Sequence, residues 1–375
     1  MKRIVLVMAL LAWAVPASAQ FGLGKALQTG MKIKDLQISE EEEREIGTMV
    51  SEKIRQRYGV VQDKTVHRYV TLVGATLASA SSRPGLSWQF IVLDTDGVNA
   101  FAAPGGFVHI TRGALALMQN ESELAGVLGH ELVHVTEQHT ISAIKKNNAK
   151  DLGLEMGPGG GMTRAVLTRL ADRAADMVMA GFGRGEELES DDKGVALASK
   201  VGYAPAGLST FLTRLRDRNK DSAEKRGLFA SHPEMTERLE KIEKQIAASK
   251  MAGAAVLADR YRRFVSYEPK AQSDIAQVEA GAAGLAGGSK PAASASKTDE
   301  GAKDDDKPKK RGFGLGNLMK PGSSDDKKSA QVTGSGGARG VDPERNAKGG
   351  SNPALVAVTV TASDISAFKK EGKLA

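Results

Sequence analysis

His130-Glu131-Leu132-Val133-His134 decides how this chain is read. The five residues lie in a strongly helical stretch, and histidines four apart on a helix share one face. Their Cβ atoms are then about 6 Å apart, close enough to hold one metal ion together. Glu131 lies about 100° round the helix from His130, where a carboxylate can reach a metal-bound water as general base. Two core histidines with an incidental Glu would be the plainer reading. With 6 His in 375 residues, chance produces the pattern in fewer than roughly one chain in a hundred.

Two histidines leave a zinc site one ligand short. Glu137 and Thr140 stand where H-E-x-x-H-x-x-G-x-x-H needs Gly and His, so the metzincin class is excluded. A downstream carboxylate is the remaining option. The acidic run Glu186-Glu187-Leu188-Glu189-Ser190-Asp191-Asp192 follows in a helical context. On charge pattern alone the same run is a solvated helix face, so the identity of the third ligand stays open at this level.

Composition narrows the class further. There is no Cys, which excludes a disulfide framework, a cysteine zinc finger, a thiol nucleophile and a lipid-modified cysteine. Hydrophobic residues at 41% are enough to build a core. A formal net charge of +7 is too mild to argue for nucleic acid. Lys2 and Arg3, an apolar run over 4–15 and Ala17-Ser18-Ala19 read as a secretory signal peptide over 1–19, with Gln20 at the mature start and the periplasm as destination. That run falls short of the ~20 residues a membrane span needs, and no later run reaches that length, so a soluble exported protein is expected.

Residues 20–35 form a short N-terminal segment, and a folded domain is expected over 36–267. Ser39 with Glu42 is a capping box, followed by Ile46, Val50, Ile54 and Tyr58 on one helical face. A second helix from about Asp63 turns Val66, Val70, Val73 and Leu77 inward. Strands are expected over 88–93 and 107–111, with a turn between Asn99 and Gly106. The stretch 268–352 reads as a disordered Gly/Lys/Asp-rich linker, because runs such as Asp304-Asp305-Asp306 and Lys309-Lys310-Arg311 bury too little apolar area to offset ordering entropy. Residues 353–375 regain pattern as a short strand and helix, with Ser363 a candidate cap and Ile365 and Phe368 apolar. Phe21-Gly22-Leu23-Gly24 recurs as Phe313-Gly314-Leu315-Gly316, which Gly-rich sequence produces readily.

Several blocks in order extend the motif: Val98-Asn99-Ala100-Phe101-Ala102-Ala103-Pro104-Gly105-Gly106, Asn120-Glu121-Ser122-Glu123-Leu124-Ala125, His139 five residues past His134, Arg184 with Glu187-Leu188-Glu189-Ser190-Asp191, Gly202-Tyr203-Ala204-Pro205, and Ser231-His232-Pro233 with Arg238. The ordered set, over roughly residues 36–265, resembles the CAAX-prenyl-protease-like zinc metallopeptidases. Within them it is similar to the soluble periplasmic branch of β-barrel assembly-enhancing proteases. The resemblance implies an α+β, helix-rich zincin of gluzincin type with a small β-sheet, followed here by a disordered tail. It implies one Zn2+ per chain held by His130, His134 and Glu187, with Glu131 as general base and Asp191 hydrogen-bonded behind a ligand histidine. His232 becomes a candidate group reaching the zinc or the oxyanion. The strand at 107–111 resembles the family's edge strand, on which an extended substrate would pair.

Two positions depart from the family pattern. Ser190 replaces the usual Ala, and Gln138 stands where Arg commonly precedes His139, for which a packing or helix-terminus role is expected. No 34-residue period follows, so the helical-repeat domain of many relatives is not carried over. The function so implied is zinc-dependent endopeptidase of the periplasm, in which a Glu-assisted, zinc-bound water hydrolyses misfolded or stalled envelope proteins. The alternative is a latent protease acting mainly as a chaperone-like module for outer-membrane protein assembly. Expected partners are unfolded envelope proteins, the outer-membrane assembly machinery and, through Lys307-Pro308-Lys309-Lys310-Arg311, the membrane surface.

Overall fold

The computed structural model describes residues 37–146, 162–219, 232, 235–270 and 352–375. The signal sequence, the segment 20–35, the glycine run at 157–161, both Phe-Gly-Leu-Gly copies and the linker over 271–351 lie outside the described residues. Among the described residues no helix is long and apolar enough to cross a membrane.

Helix α1 (Glu40–Tyr58) begins at a capping box in which Ser39 and Glu42 satisfy each other's backbone N–H. Its four-residue apolar repeat is fully inside: Ile46, Val50 and Ile54 have no exposed surface. Helix α2 (Lys64–Ala80) is capped by the Asp63 carboxylate and buries Val66, Val70, Val73 and Leu77 on its inner face.

Three short strands follow: β1 (Gln89–Leu93), β2 (Ala100–Ala103) and β3 (Phe107–Thr111). Their spatial order is β1-β3-β2, with β1 parallel to β3 (Gln89 opposite Phe107) and β2 antiparallel to it (Ala100 opposite Ile110). Two sequence expectations change here. The stretch read as a turn before a strand contains a strand, β2. And β3 is the central strand, its backbone paired on both sides, so it is not the edge on which a substrate could add. The sheet's edges are β1 and β2, and β2 is the one packed against the motif helix.

That helix is α4 (Glu121–Thr136), which follows the short α3 (Arg112–Leu117). Asn120 caps its N-terminus through Glu123 N–H. Buried Glu121 and Glu123 in its first turn are each gripped by an arginine, Arg260 and Arg214 respectively. Helices α5 (His139–Lys146), α6 (Arg164–Ala180) and α7 (Arg184–Val201) come next. Then come α8 (Gly207–Arg218), α9 (Met235–Ala248) and α10 (Ala258–Phe264). The chain is thus helix-rich with one small mixed sheet, the arrangement of a zincin-like peptidase domain.

The closest helix pair is α4 with α7. Two glycines make the approach possible. A Cβ on Gly194 would sit 2.8 Å from the backbone N of His130, and one on Gly129 would sit 2.9 Å from the carbonyl oxygen of Gly194. Only bare backbones fit there, and that contact brings the acidic turn of α7 against the motif histidines.

The final described stretch packs on the same domain. The short strand expected before the final helix does not form: residues 352–361 carry no regular element, and α11 (Ala362–Gly372) follows. Thr361, not Ser363, caps α11, in a capping box with Asp364. Phe368 is buried, with the Arg260 guanidinium 3.9 Å above its ring, and Arg68 bonds Asp364 at 2.7 Å.

Candidate metal centre

One turn of α4 presents His130 and His134, and the first turns of α7 present Glu187 and Asp191. All four are buried. The Nε2 atoms of the two histidines lie 3.1 Å apart, and each is 3.5 Å from a different Glu187 oxygen. His232 approaches from the segment before α9, its Nδ1 2.9 Å from both Glu187 oxygens. One donor atom from each of His130, His134, Glu187 and His232 fits within 4.8 Å of the others, a group that could hold one metal ion.

The electrostatics of the pocket favour a cation. Glu131, Glu187 and Asp191 are three buried carboxylates, and Arg238 is the buried guanidinium that faces them. Burial opposes charge on His130, yet the hydrogen bonds it donates to Asp191 and Glu187 outweigh it and push its pKa up to about 9. Burial likewise opposes a charged Glu187, but the imidazoles of His232 and His130 hold its carboxyl well below the usual range. His134 goes the other way: burial, then the neighbouring His130, drive it well below an ordinary histidine. The pocket draws a positive charge onto His130, whose Nε2 faces Glu187. A divalent ion would supply that charge at the same place. A mixed nitrogen and oxygen donor set of this kind suits zinc.

Glu131 stands apart from this group. It is 1% exposed, yet neither carboxylate oxygen finds a hydrogen-bond partner among the described residues. Burial lifts its carboxyl above the ordinary range, only partly opposed by His232 and His130. A buried carboxylate without donors is costly unless a ligand or water meets it. Glu131 lies next to the donor group, its Oε1 3.7 Å from His232 Nε2.

Asp191 accepts from His130 Nδ1–H at 2.9 Å, which leaves Nε2 of that ring free to face Glu187. Arg238 donates to both Asp191 oxygens at 2.7 Å and lies 3.0 Å from Glu187. Sequence reading quoted Arg238 within a motif block but gave it no role. Its burial beside two carboxylates is what sets it apart. Phe182 was missed altogether: it stacks on the His134 ring at 4.1 Å and 19°. Tyr203, quoted in a motif block, lies in another cluster, bonded to Glu121 at 2.7 Å.

The two departures from the family pattern have local consequences. Gln138 adopts a left-handed conformation, φ 54°, and donates to Glu43 at 2.7 Å; Glu43 also accepts from Arg83 and from the Gly105 N–H. Ser190 is fully buried and its hydroxyl has no partner among the described residues. Removing an unpaired buried hydroxyl relieves a desolvation cost, so Ser190→Ala is expected to raise stability by about 1 kcal/mol in urea unfolding. A loss of stability would show that the hydroxyl is bonded after all.

Comparison with known proteins agrees with this geometry. Residues 64–246 match peptidase family M48. The chain is 26% identical over 200 residues to the beta-barrel assembly-enhancing protease of Escherichia coli (strain K12), covering 51% of this chain and 41% of that protein. It is 32% identical over 168 residues to metalloprotease YcaL of the same organism, 44% of this chain and 65% of the relative. To the mitochondrial metalloendopeptidase OMA1 of Arabidopsis thaliana it is 26% identical over 200 residues, 53% of this chain and 39% of the relative. The chain therefore spans about two-fifths of the length of the assembly-enhancing proteases it matches.

Proposed function

We propose that this chain, whose residues 64–246 match peptidase family M48, is a zinc-dependent metalloendopeptidase of the periplasm acting on unfolded or misassembled envelope proteins. The single observation that carries the chemistry is the convergence of His130, His134 and Glu187 beside the buried Glu131 carboxylate, which accepts no hydrogen bond among the described residues and lies 3.7 Å from His232 Nε2. Zinc held by those three side chains would supply Lewis acidity, polarising a carbonyl and acidifying water. His130 is oriented by Asp191 and Arg238, so its Nε2 lone pair points into the pocket. Glu131 takes the proton from the attacking water and delivers it to the leaving amine.

An extended substrate would pair with β2, the buried edge strand beside α4, rather than with the central β3. Backbone pairing reads little side-chain information, which suits a protease working on unfolded chains. The envelope setting rests on the sequence at 1–19 and on likeness to the assembly-enhancing proteases. Contact with outer-membrane assembly machinery is part of the same reading. Stripping metal with a chelator should abolish cleavage of unfolded casein, and added zinc should restore it. Cleavage that survives complete removal of metal would contradict the proposal.

A second reading rests on His232, whose Nδ1 lies 2.9 Å from Glu187 and 3.3 Å from His130 Nε2. As a fourth ligand it would close the position a substrate needs, leaving a latent protease that acts mainly as a binding module. His232→Ala separates the two: cleavage rises if the ring blocks the site and falls if it serves the reaction.

A further inference from the structure

Asp191 and Arg238 account for how His130 is oriented, but His134 has no carboxylate beside its Nδ1. What faces that atom is another imidazole. His139 Nδ1 lies 2.8 Å from His134 Nδ1, and His139 Nε2 lies 3.2 Å from Glu189 Oε2. We propose that His139 is a positioning residue that fixes the tautomer and orientation of His134, with Glu189 as the outer carboxylate of a His134–His139–Glu189 relay. The proposal rests on His134 being a metal ligand, and goes beyond it by assigning what holds that ligand.

The proton inventory follows once His134 Nε2 is taken as a metal ligand. With His134 Nε2 committed to the metal, its lone pair belongs there, among Glu187 and His130, and its proton belongs on Nδ1. Two Nδ1 atoms at 2.8 Å cannot both carry protons, so His139 Nδ1 accepts. His139 then offers Nε2–H to the Glu189 carboxylate, which accepts it. Each ring thereby fixes the tautomer of the next.

The local fold is built to make this contact. His139 lies only five residues after His134, beyond the end of α4. Gln138, at φ 54°, turns the chain so that the first residue of α5 faces back onto the end of α4. The Gln138 amide is anchored on the buried Glu43. Phe182 closes the other side: it stacks on His134, and its ring centre is 5.8 Å from that of His139. His134 is therefore held by one ring face and one ring nitrogen. At the outer end, Glu189 is half exposed and is held by Lys193 at 2.6 Å, which also bonds Glu137 at 2.7 Å.

The relay also explains an asymmetry within the site. His130 donates directly to a carboxylate, whereas His134 donates to a neutral ring, a weaker acceptor that leaves the His134 ligand less electron-rich. The acidic run of α7 supplies both outer acids, Asp191 for one histidine and Glu189 for the other.

Metal affinity and a spectroscopic signature test this in the full chain. Zinc dissociation constants, measured by competition with a chelating dye, should rise about 10–100-fold in His139→Ala. His139→Asn, whose Oδ1 can sit where Nδ1 was, should recover most of that loss. In the zinc-loaded wild type, 15N spectra should show His134 Nδ1 as a protonated N–H. Unchanged zinc affinity in a folded His139→Ala would overturn the relay. So would an unprotonated His134 Nδ1, a result that stands even if the alanine variant fails to fold. Absence of zinc binding by the wild type would instead remove the metallopeptidase reading itself, so the two failures are distinguishable.

Discussion

Glu131→Gln should keep the fold and the metal while losing about 1,000-fold in kcat/KM on an unfolded protein substrate. The magnitude is that of a positioned general base removed from a proton-transfer step. The substitution suits this site because Glu131 makes no hydrogen bond that the amide would break among the described residues, and it is not one of the residues whose donor atoms converge. A carboxamide of the same shape has no useful basicity, so only the chemistry should change. Burial raises the pKa of this carboxyl, which brings its basicity closer to what proton transfer near neutrality requires. Paired measurements of zinc content and casein cleavage check the split. Retained cleavage would assign the base elsewhere, and loss of zinc would make Glu131 a ligand.

Arg238→Ala should be the most damaging single change to stability, at about 3–5 kcal/mol by urea unfolding. Arg238 is 1% exposed, donates twice to Asp191, and faces Glu187 across 3.0 Å. Truncating it leaves two buried carboxylates without their counter-charge, and that uncompensated charge, more than the lost contact, sets the cost. Asp191→Asn in the same background should recover part of the loss, because it removes one of the stranded charges. A cost below about 1 kcal/mol would mean that the pocket is far more hydrated than its burial indicates.

Local patterns in the sequence carried the helices that frame the site. The four-residue apolar repeats of α1 and α2, their caps at Ser39 and Asp63, and the His130–His134 spacing all depend on neighbours within a turn or two. The third carboxylate was different. Local charge pattern left every acid on α7 open, and only the ordered motif blocks singled out Glu187. What selects it physically is the Gly129–Gly194 contact, which sets where α7 crosses α4 and hence which turn faces the histidines.

Other features depended wholly on distant partners. Ala100-Phe101-Ala102-Ala103 has none of the β-branched residues that mark a strand, and it becomes β2 because β3 offers a ladder. The same pairing displaced β3 from the edge to the centre. His139 carried no sign of its contact with His134, since that depends on a left-handed backbone at Gln138, a conformation that amide side chains do not announce. The docking of α11 was equally hidden. Arg260, which grips Glu121 at the start of α4, also donates to the Phe368 carbonyl at 2.9 Å. The final helix is thereby tied to the motif helix through one guanidinium.

Metal content tests the ligand set most directly. The full chain, purified without added chelator and measured by inductively coupled plasma mass spectrometry, should carry about one zinc ion per molecule. Glu187→Ala should carry less than about a tenth of that while remaining folded, because it removes the one carboxylate of the donor group and leaves only imidazoles facing the ion. A full complement of zinc in Glu187→Ala, or none in the wild type, would contradict a metal centre built from His130, His134 and Glu187.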